Sequence, residues 1–166
     1  MAVRPVLRFP HPVLKQPAER VGTIDDTARG LAADLTDTMR ASPACVGLAA
    51  NQIGVGLRAF VIDVTGHRRA RSSHGLVVLF DPEIVSTTGD VVAREGCMSV
   101  PDLTGDVARA SEVVVRGTSL EGHEVTITAD AFEARALMHE IDHLDGKLFL
   151  DRASSHRSVF QRRTYH

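Results

Sequence analysis

The sequence has few cysteines, little excess charge of either sign and no long uninterrupted apolar run. Two cysteines in 166 residues are too few for the disulfide-dense scaffold of a small secreted domain. Nineteen basic residues against twenty-one acidic ones give a formal net charge of −2. That balance argues against a protein whose main task is to bind nucleic-acid phosphates, because such proteins normally carry a strong basic excess.

Signals for export and for membrane insertion are also missing. The longest uncharged stretch, 41–57, is interrupted by Pro43, Asn51, Gln52 and glycines, so it does not predict a transmembrane helix. The first residues lack the apolar stretch of a secretory signal. We therefore expect a soluble, cytoplasmic protein with no membrane partner.

The chain shows no repeat, no low-complexity tract and no internal linker. At about 100–200 residues per domain, its length predicts a single domain over 1–166. Four prolines in the first twenty residues predict an extended, non-helical arm over about 1–22. The segment 151–166 carries several arginines and little apolar content, which predicts a short, frayed and solvated tail.

Hydrophobic spacing predicts one helix near each end of the chain. The first begins after a cap at Thr23 or Asp25 and ends before Pro43. Its apolar face consists of Ala28, Leu31, Leu35 and Met39. The second runs from about Asp130 to Leu144, after a cap at Thr128 or Asp130 and before Gly146. Its apolar face consists of Leu137, Ile141 and Leu144.

Segments rich in branched apolar residues between the helices predict strands at 57–64, 76–85, 112–120 and 124–128. The last two form a hairpin around Gly122. Because helix, strands and helix follow one another without βαβ alternation, the pattern predicts an α+β fold with mostly antiparallel strands.

The second predicted helix carries the run His139-Glu140-Ile141-Asp142-His143. Residues four apart lie one above the other on a helix, so both imidazoles can reach one ion. Glu140 is rotated by about 100° from His139, near the metal but free to move a proton. The alternative is a surface helix that carries His and Glu by chance. The complete motif and its apolar neighbours favour a metal site.

Two imidazoles do not hold a catalytic metal, so a third ligand is needed. Where one metalloprotease class places its third histidine, this chain has Phe149, which cannot coordinate, and no Glu follows Glu140. Asp145, Asp151 and His156 remain downstream alternatives.

Cys97 is the better candidate for the third ligand. It lies in Glu95-Gly96-Cys97-Met98-Ser99, next to a glycine that allows close backbone approach. The alternative is a buried cysteine that acts as a small hydrophobe. One thiolate and two imidazoles leave a fourth position open for water, as in catalytic sites.

Three blocks of the sequence together resemble the three motifs of peptide deformylases. They are Val46-Gly47-Leu48-Ala49-Ala50-Asn51-Gln52, Glu95-Gly96-Cys97-Met98-Ser99 and His139-Glu140-Ile141-Asp142-His143-Leu144-Asp145-Gly146. The resemblance runs from the proline-rich arm to about Leu150. It implies antiparallel sheets packed around a C-terminal metal-binding helix, and hydrolysis of the formyl group from the N-terminal formyl-methionine of newly made polypeptides, which releases formate.

The resemblance also implies one divalent ion held by Cys97, His139 and His143. Iron, Fe(II), is the family's native metal, and Zn, Ni or Co suit the same donors. Glu140 would act as general base and then acid. The oxyanion would be met by the Gln52 side-chain amide and the Met98 backbone N–H. Backbone of the first two motifs would bind the peptide, and apolar side chains would hold its methionine. The implied substrate-binding residues are Val46, Gly47, Gly96, Phe132 and Ala136.

The chain departs from the family pattern at three places. Cys45 stands where the first motif usually begins with Gly, so its side chain would crowd the peptide-binding strand or bring an oxidisable thiol close to the metal. Met98 replaces the commoner Leu, an exchange that conserves volume. The segment 102–108 lacks the arginine that often contacts the distal part of the substrate in the family.

Two roles of acidic residues and two other functions stay open. Asp142 would orient a ligand histidine or form a salt bridge, and Glu95 would bind its loop or an arginine such as Arg109.

The chain would alternatively be a metallopeptidase with another third ligand, or a deformylase-like module that binds metal without turnover. We expect a monomer. Arginines of the loop 67–75 and the tail leave open a transient contact with ribosomal RNA.

Overall fold

The computed structural model describes residues 2–162 and arranges them as two antiparallel sheets and two α-helices. Helix α1 spans Asp26–Ala41 and helix α2 spans Ala131–Leu144. The strands are β1 Gly47–Ala49, β2 Ala59–Ile62, β3 Val77–Thr88, β4 Val91–Cys97, β5 Val100–Arg109, β6 Glu112–Thr118, β7 Glu124–Asp130 and β8 Val159–Gln161. One sheet has the order β1-β2-β3-β6-β7 and the other the order β4-β5-β8. The predicted α+β class is confirmed.

Helix α1 begins and ends as the sequence predicts. The Asp25 side chain caps it by accepting a hydrogen bond from the Ala28 N–H at 2.9 Å. The helix ends at Ala41, two residues before Pro43. All four residues of its predicted apolar face are buried.

The two helices pack on opposite faces of the five-stranded sheet. Phe60 and Ile62 of β2 pack in the cluster that contains Leu137 and Ile141 of α2. Ala59 and Val61, which alternate with them, pack in the cluster that contains Leu35 of α1. Because successive strand residues point to opposite faces, a strand buried on both sides has a continuous apolar run. The sequence therefore predicted β2 correctly, although the strand is shorter than the predicted range 57–64.

The hairpin of β4 and β5 was not predicted. Its strands pair over Val91↔Arg109 to Cys97↔Val100, with a register shift between Gly96 and Cys97. Outer residues of β4 are exposed, so the alternation of apolar and polar residues is weak there. As a result, the sequence indicated a ligand motif around Cys97 but did not predict that this segment forms a strand.

The C-terminal segment 151–162 is largely solvent-exposed, as predicted, but the prediction that it is frayed is wrong. Short 3-10 turns at Phe149–Arg152 and His156–Ser158 lead into β8, which pairs with β5 through Leu103↔Gln161 and Thr104↔Phe160. Without β8, the outer edge of β5 would have unpaired backbone groups. Arg163 and the three residues after it lie outside the described residues.

The N-terminal arm is largely irregular, as predicted. It contains one 3-10 turn, Pro12–Lys15, whose Leu14 is fully buried. Among residues 2–162, no helix combines the length and the apolar character needed to cross a bilayer.

Candidate metal centre

Helix α2 brings both imidazoles of the His-Glu-x-x-His run to one side of the molecule. The ring centroids of His139 and His143 are 5.0 Å apart, as expected for residues one helical turn apart. His143 is almost completely buried. The site is therefore built on a rigid, packed helix.

The Cys97 thiol meets these imidazoles from the end of β4. Its Sγ lies 3.3 Å from His143 Nε2, and one donor atom from each of Cys97, His139 and His143 lies within 4.8 Å of the others. Burial alone would disfavour a thiolate, but the charge of His143 and a hydrogen bond from His139 hold the pKa of Cys97 well below its ordinary value. Metal ligation needs this deprotonated form.

The downstream alternatives for the third ligand are engaged elsewhere. The Asp145 carboxylate accepts a hydrogen bond from Arg58 at 3.0 Å. Asp151 pairs with Lys15 and accepts from the Leu148 N–H. His156 is exposed in a 3-10 turn. Within residues 2–162, Cys97, His139 and His143 are the group that could hold a metal ion.

The donor set fits a divalent transition metal. The His139 Nδ1 lies 2.9 Å from Glu95 Oε1, so its other nitrogen is left for an ion. One sulfur and two imidazole nitrogens suit iron, zinc, nickel or cobalt. The site therefore supports a single catalytic metal without selecting which one.

Glu95 holds His139 in place and is itself held by two arginines. Its carboxylate accepts hydrogen bonds from Arg109 at 2.5 and 3.0 Å and from Arg135 at 2.6 Å. Burial would raise the pKa of Glu95, but the hydrogen bonds of His139 and Arg109 keep it well below its ordinary value. The pairing of Glu95 with Arg109 is confirmed. The contact with His139 was missed because the two residues are far apart in sequence.

Asp142 takes the salt-bridge role and does not touch a ligand histidine. Its carboxylate accepts from Arg109 at 2.8 Å and from Arg152 at 2.8 and 2.9 Å. Arg109 thus joins Asp142 of α2 to Glu95 of β4. We call Glu95, Arg109, Arg135, Asp142 and Arg152 the ion network.

Glu140 lies beside the three donors in a space that only a glycine leaves open. A Cβ at Gly47 would be 2.7 Å from Glu140 Oε1. Burial raises the pKa of Glu140 to about 7, and its Oε2 has no hydrogen-bond partner among the described residues. A carboxyl group in this state can both accept and donate a proton near neutral pH.

The Gln52 amide is oriented by two neighbours. Its Oε1 accepts from the Ala49 N–H at 2.9 Å, which directs its Nε2 towards Ser99 Oγ at 3.0 Å and Cys97 Sγ at 3.6 Å. The side chain is buried, so its N–H groups are fixed beside the candidate ligands. No sequence pattern indicated Ser99 as its partner.

A cavity of about 290 Å³ opens above the three donors. The edge strands β1 and β4 of the two sheets face each other across it. Of the residues that the sequence implied, those lining it are Val46, Gly47, Gln52, Gly96, Cys97, Met98, Phe132, Ala136, His139 and Glu140. His143 is not among the residues that line it. The His67 ring, which the sequence left in a solvated loop, stacks on Phe132 at 3.9 Å.

A family model described as polypeptide deformylase matches residues 3–159 of this chain. The chain belongs to the polypeptide deformylase family. It is 44% identical to a peptide deformylase of Syntrophobacter fumaroxidans over 98% of this chain and 94% of that protein. It is 45% identical to one of Desulforudis audaxviator over 93% and 96%.

Solved deformylase structures share the fold. A crystal structure from Legionella pneumophila has a TM-score of 0.84 at 41% identity and covers 92% of this chain and 87% of its own. One from Ehrlichia chaffeensis, in complex with actinonin, has a TM-score of 0.88 at 33% identity, with 95% and 92% covered. Deformylases are metal-dependent hydrolases that remove the N-formyl group from newly made polypeptides, and this chain is such an enzyme.

Two of the three departures from the deformylase pattern, Cys45 and Met98, lie at the cavity. Cys45 lines it and its thiol donates to the Gly47 carbonyl at 3.2 Å. Burial raises the pKa of this thiol to about 11, so Cys45 stays protonated. Met98 is half-buried at the rim. The segment 102–108 provides no arginine, but Arg162 reaches the same rim from β8.

Proposed function

We propose that Cys97, His139 and His143 hold one Fe(II) ion with which this chain hydrolyses the formyl group of formyl-methionyl peptides. One observation carries the proposal: the three donor atoms meet within 4.8 Å beneath a cavity bordered by two free strand edges. The donors suit several metals, and the choice of iron rests on the family. Zn, Ni or Co would occupy the same donors in a purified sample.

Glu140 moves the proton that hydrolysis requires. A divalent ion at this site would supply a Lewis acid that lowers the pKa of a water molecule and polarises the formyl oxygen. Glu140 takes one proton from the attacking water and gives it to the departing amine. The new C–O bond forms first and places the negative charge on the formyl oxygen, and the C–N bond then breaks. The products are formic acid, which ionises to formate, and a free methionyl amine. A pKa of about 7 makes both directions of proton transfer accessible near neutral pH.

Gln52 and the Met98 backbone stabilise the negative charge on the formyl oxygen. The Gln52 amide is already turned towards the ligands by Ala49 and Ser99, so it needs no reorganisation during the reaction. Donors held in this way typically contribute about 10²–10³ in rate each.

The peptide binds as an added strand between β1 and β4. Val46, Gly47 and Gly96 line the cavity along these edges, where unpaired backbone groups can bond to the main chain of a peptide. The methionine side chain lies against Phe132 and Ala136. Phe132 is stabilised by the stacked His67 ring, which gives this wall a fixed shape.

The whole chain acts as one catalytic domain, and as a monomer in the cytoplasm, where nascent formyl-methionyl chains are made. Contact with the ribosome would be transient and would use exposed arginines such as Arg68 and Arg71. Such contact should weaken steeply with salt, because it depends on phosphates. A sedimentation assay with ribosomes at two salt concentrations tests it, and salt-insensitive association would contradict it.

Formate release by anaerobically prepared, iron-loaded protein is the decisive experiment. A formyl-Met peptide should yield formate and the same peptide without the formyl group should not. In Glu140→Gln, kcat should fall by about 10²–10⁴ while the metal content stays near one ion per chain. In Cys97→Ala, metal content should fall together with activity. Unchanged metal content in Cys97→Ala would contradict the proposed ligand set.

A further inference from the structure

The free edge of β4 offers only a short stretch for pairing with a peptide. This strand pairs on one side with β5. On the other side, Arg69 Nη1 donates to the Arg94 carbonyl at 3.5 Å. Because backbone groups of alternate residues point to the same edge, Gly96 presents its own N–H and C=O there. A bound peptide can therefore pair beside Gly96, whereas the carbonyl of Arg94 already accepts from Arg69.

The two faces of β4 at this point differ. Glu95 and Cys97 are buried, whereas Gly96 between them is exposed. A peptide strand paired at this edge places alternate side chains on the same two faces. With the methionine side chain against Phe132 and Ala136, the side chain of the next residue lies on the face of Gly96, which lines the same cavity.

The guanidinium of Arg162 covers this face. A Cβ built on Gly96 would be 2.2 Å from Arg162 Nη2 and 3.2 Å from its Cζ. The Arg162 N–H donates to the Asp102 carbonyl at 2.9 Å, and the preceding strand β8 pairs with β5. Gly96 faces Thr104 in the β4–β5 pairing, so Arg162 reaches across a small side chain to lie on the glycine backbone.

The charge of Arg162 has no partner within the described part of the chain. Its neighbour Arg94, by contrast, pairs with Asp106 at 2.9 Å. The carboxylates that line the cavity are Glu95 and Glu140. Both are buried, and Glu95 is taken up by the ion network. The face on which the second peptide side chain lies is therefore positively charged.

We propose that Arg162 is a specificity residue that makes this enzyme favour substrates with Asp or Glu directly after the formyl-methionine over those with Lys or Arg. The inference rests on the strand-addition mode of the proposed function. Exposed ion pairs of this kind correspond to a preference of about two- to fivefold. The preference should shrink as ionic strength rises, since salt screens exposed charges.

Formate release from three matched peptides tests the proposal. They are formyl-Met-Glu-Ser, formyl-Met-Gln-Ser and formyl-Met-Lys-Ser, each with an amidated C-terminus so that the position after methionine supplies the only variable charge. The iron-loaded wild type should show kcat/KM in the order Glu, Gln, Lys. Arg162→Gln should remove the difference between Glu and Lys, and Arg162→Glu should reverse it.

Arg157→Gln is the matched control. It removes an exposed arginine of the same C-terminal segment, outside the residues that line the cavity, and should keep the order and the rates of the wild type. An unchanged Glu-to-Lys ratio in Arg162→Glu would overturn the proposal. An equal loss of the preference in Arg157→Gln would overturn it as well, because net charge alone would then explain the effect.

A binding measurement separates this inference from the proposed function. Calorimetry with the metal-loaded Glu140→Gln variant gives Kd for the same peptides without turnover. Tighter binding of the Glu peptide than of the Lys peptide, lost in the double variant with Arg162→Gln, supports the role of Arg162 even where formate release fails. Equal Kd values for all three peptides would overturn it even where formate release succeeds.

Discussion

The two sheets are joined to helix α2 by different forces. The five-stranded sheet packs on α2 through buried apolar side chains such as Leu79, Val115 and Leu137. The three-stranded sheet has a smaller apolar cluster and is tied to α2 by the ion network, in which Arg109 bridges Glu95 and Asp142. The metal site lies where the sheets meet, with its histidines on the helix and its thiol on β4. Apolar packing thus positions two ligands, and buried charges position the third.

Removal of Arg109 should have the largest effect on stability. In Arg109→Leu, the buried carboxylates of Glu95 and Asp142 lose a partner, which should lower the free energy of unfolding by about 3–5 kcal/mol. Urea unfolding measures this change. Arg40→Leu is the control: it breaks the exposed pair with Asp63 and should cost about 1 kcal/mol or less. Equal losses in the two variants would mean that the ion network does not hold the sheet.

Truncation of Leu79 tests the apolar packing between the five-stranded sheet and helix α2. Leu79 of β3 is fully buried, so Leu79→Ala should lower the free energy of unfolding by about 2–5 kcal/mol through lost burial and a residual cavity. This loss should be the same at pH 7 and at pH 4, since no charge is removed. A loss that varied strongly with pH would show that the two sheets are not held independently.

Acid should distinguish the two regions further. The folded-state pKa of Glu95 is depressed, so its contribution to stability is present above its unfolded pKa of about 4.3 and is lost as pH falls through the lower, folded value. The metal-free wild type should therefore lose stability below about pH 4.3. Arg109→Leu removes a charge that depresses this pKa, so its curve should be flatter. Melting temperatures of both proteins between pH 6 and 3 measure this, and parallel curves would refute it.

Cys45→Gly should have the smallest effect. The thiol donates a hydrogen bond to the Gly47 carbonyl at 3.2 Å, on the edge where we propose that the peptide binds. Its removal frees this acceptor, so kcat/KM for a formyl-Met peptide should stay unchanged or rise. Cys45→Ala separates the effect of the thiol hydrogen bond from the effect of the side-chain Cβ, because it removes the thiol but keeps the Cβ. A large loss in kcat/KM in the glycine variant would show that the thiol supports the β1 edge.

The regions that the sequence predicted well are those with a strong local apolar pattern. The faces of α1 at Leu31 and Leu35 and of α2 at Leu137 and Ile141 have a helical period, and β2 and β3 contain continuous apolar runs. The β4–β5 hairpin was missed because its outer residues, such as Val92, are exposed and glycines interrupt it. The tail was misjudged because β8 and the backbone N–H of Arg162 pair with β5, which is distant in the chain.

The sequence by itself determined the helix that carries His139, Glu140 and His143, because helical spacing is a local property. It also singled out Cys97, through its neighbours and through the absence of another third ligand. The tertiary structure decided which groups surround them. These groups come from segments far apart in the chain: Glu95 contacts His139, Ser99 contacts Gln52, and Arg162 lies on Gly96. Such contacts depend on how the two sheets pack against the helix, and no local sequence pattern determines that arrangement.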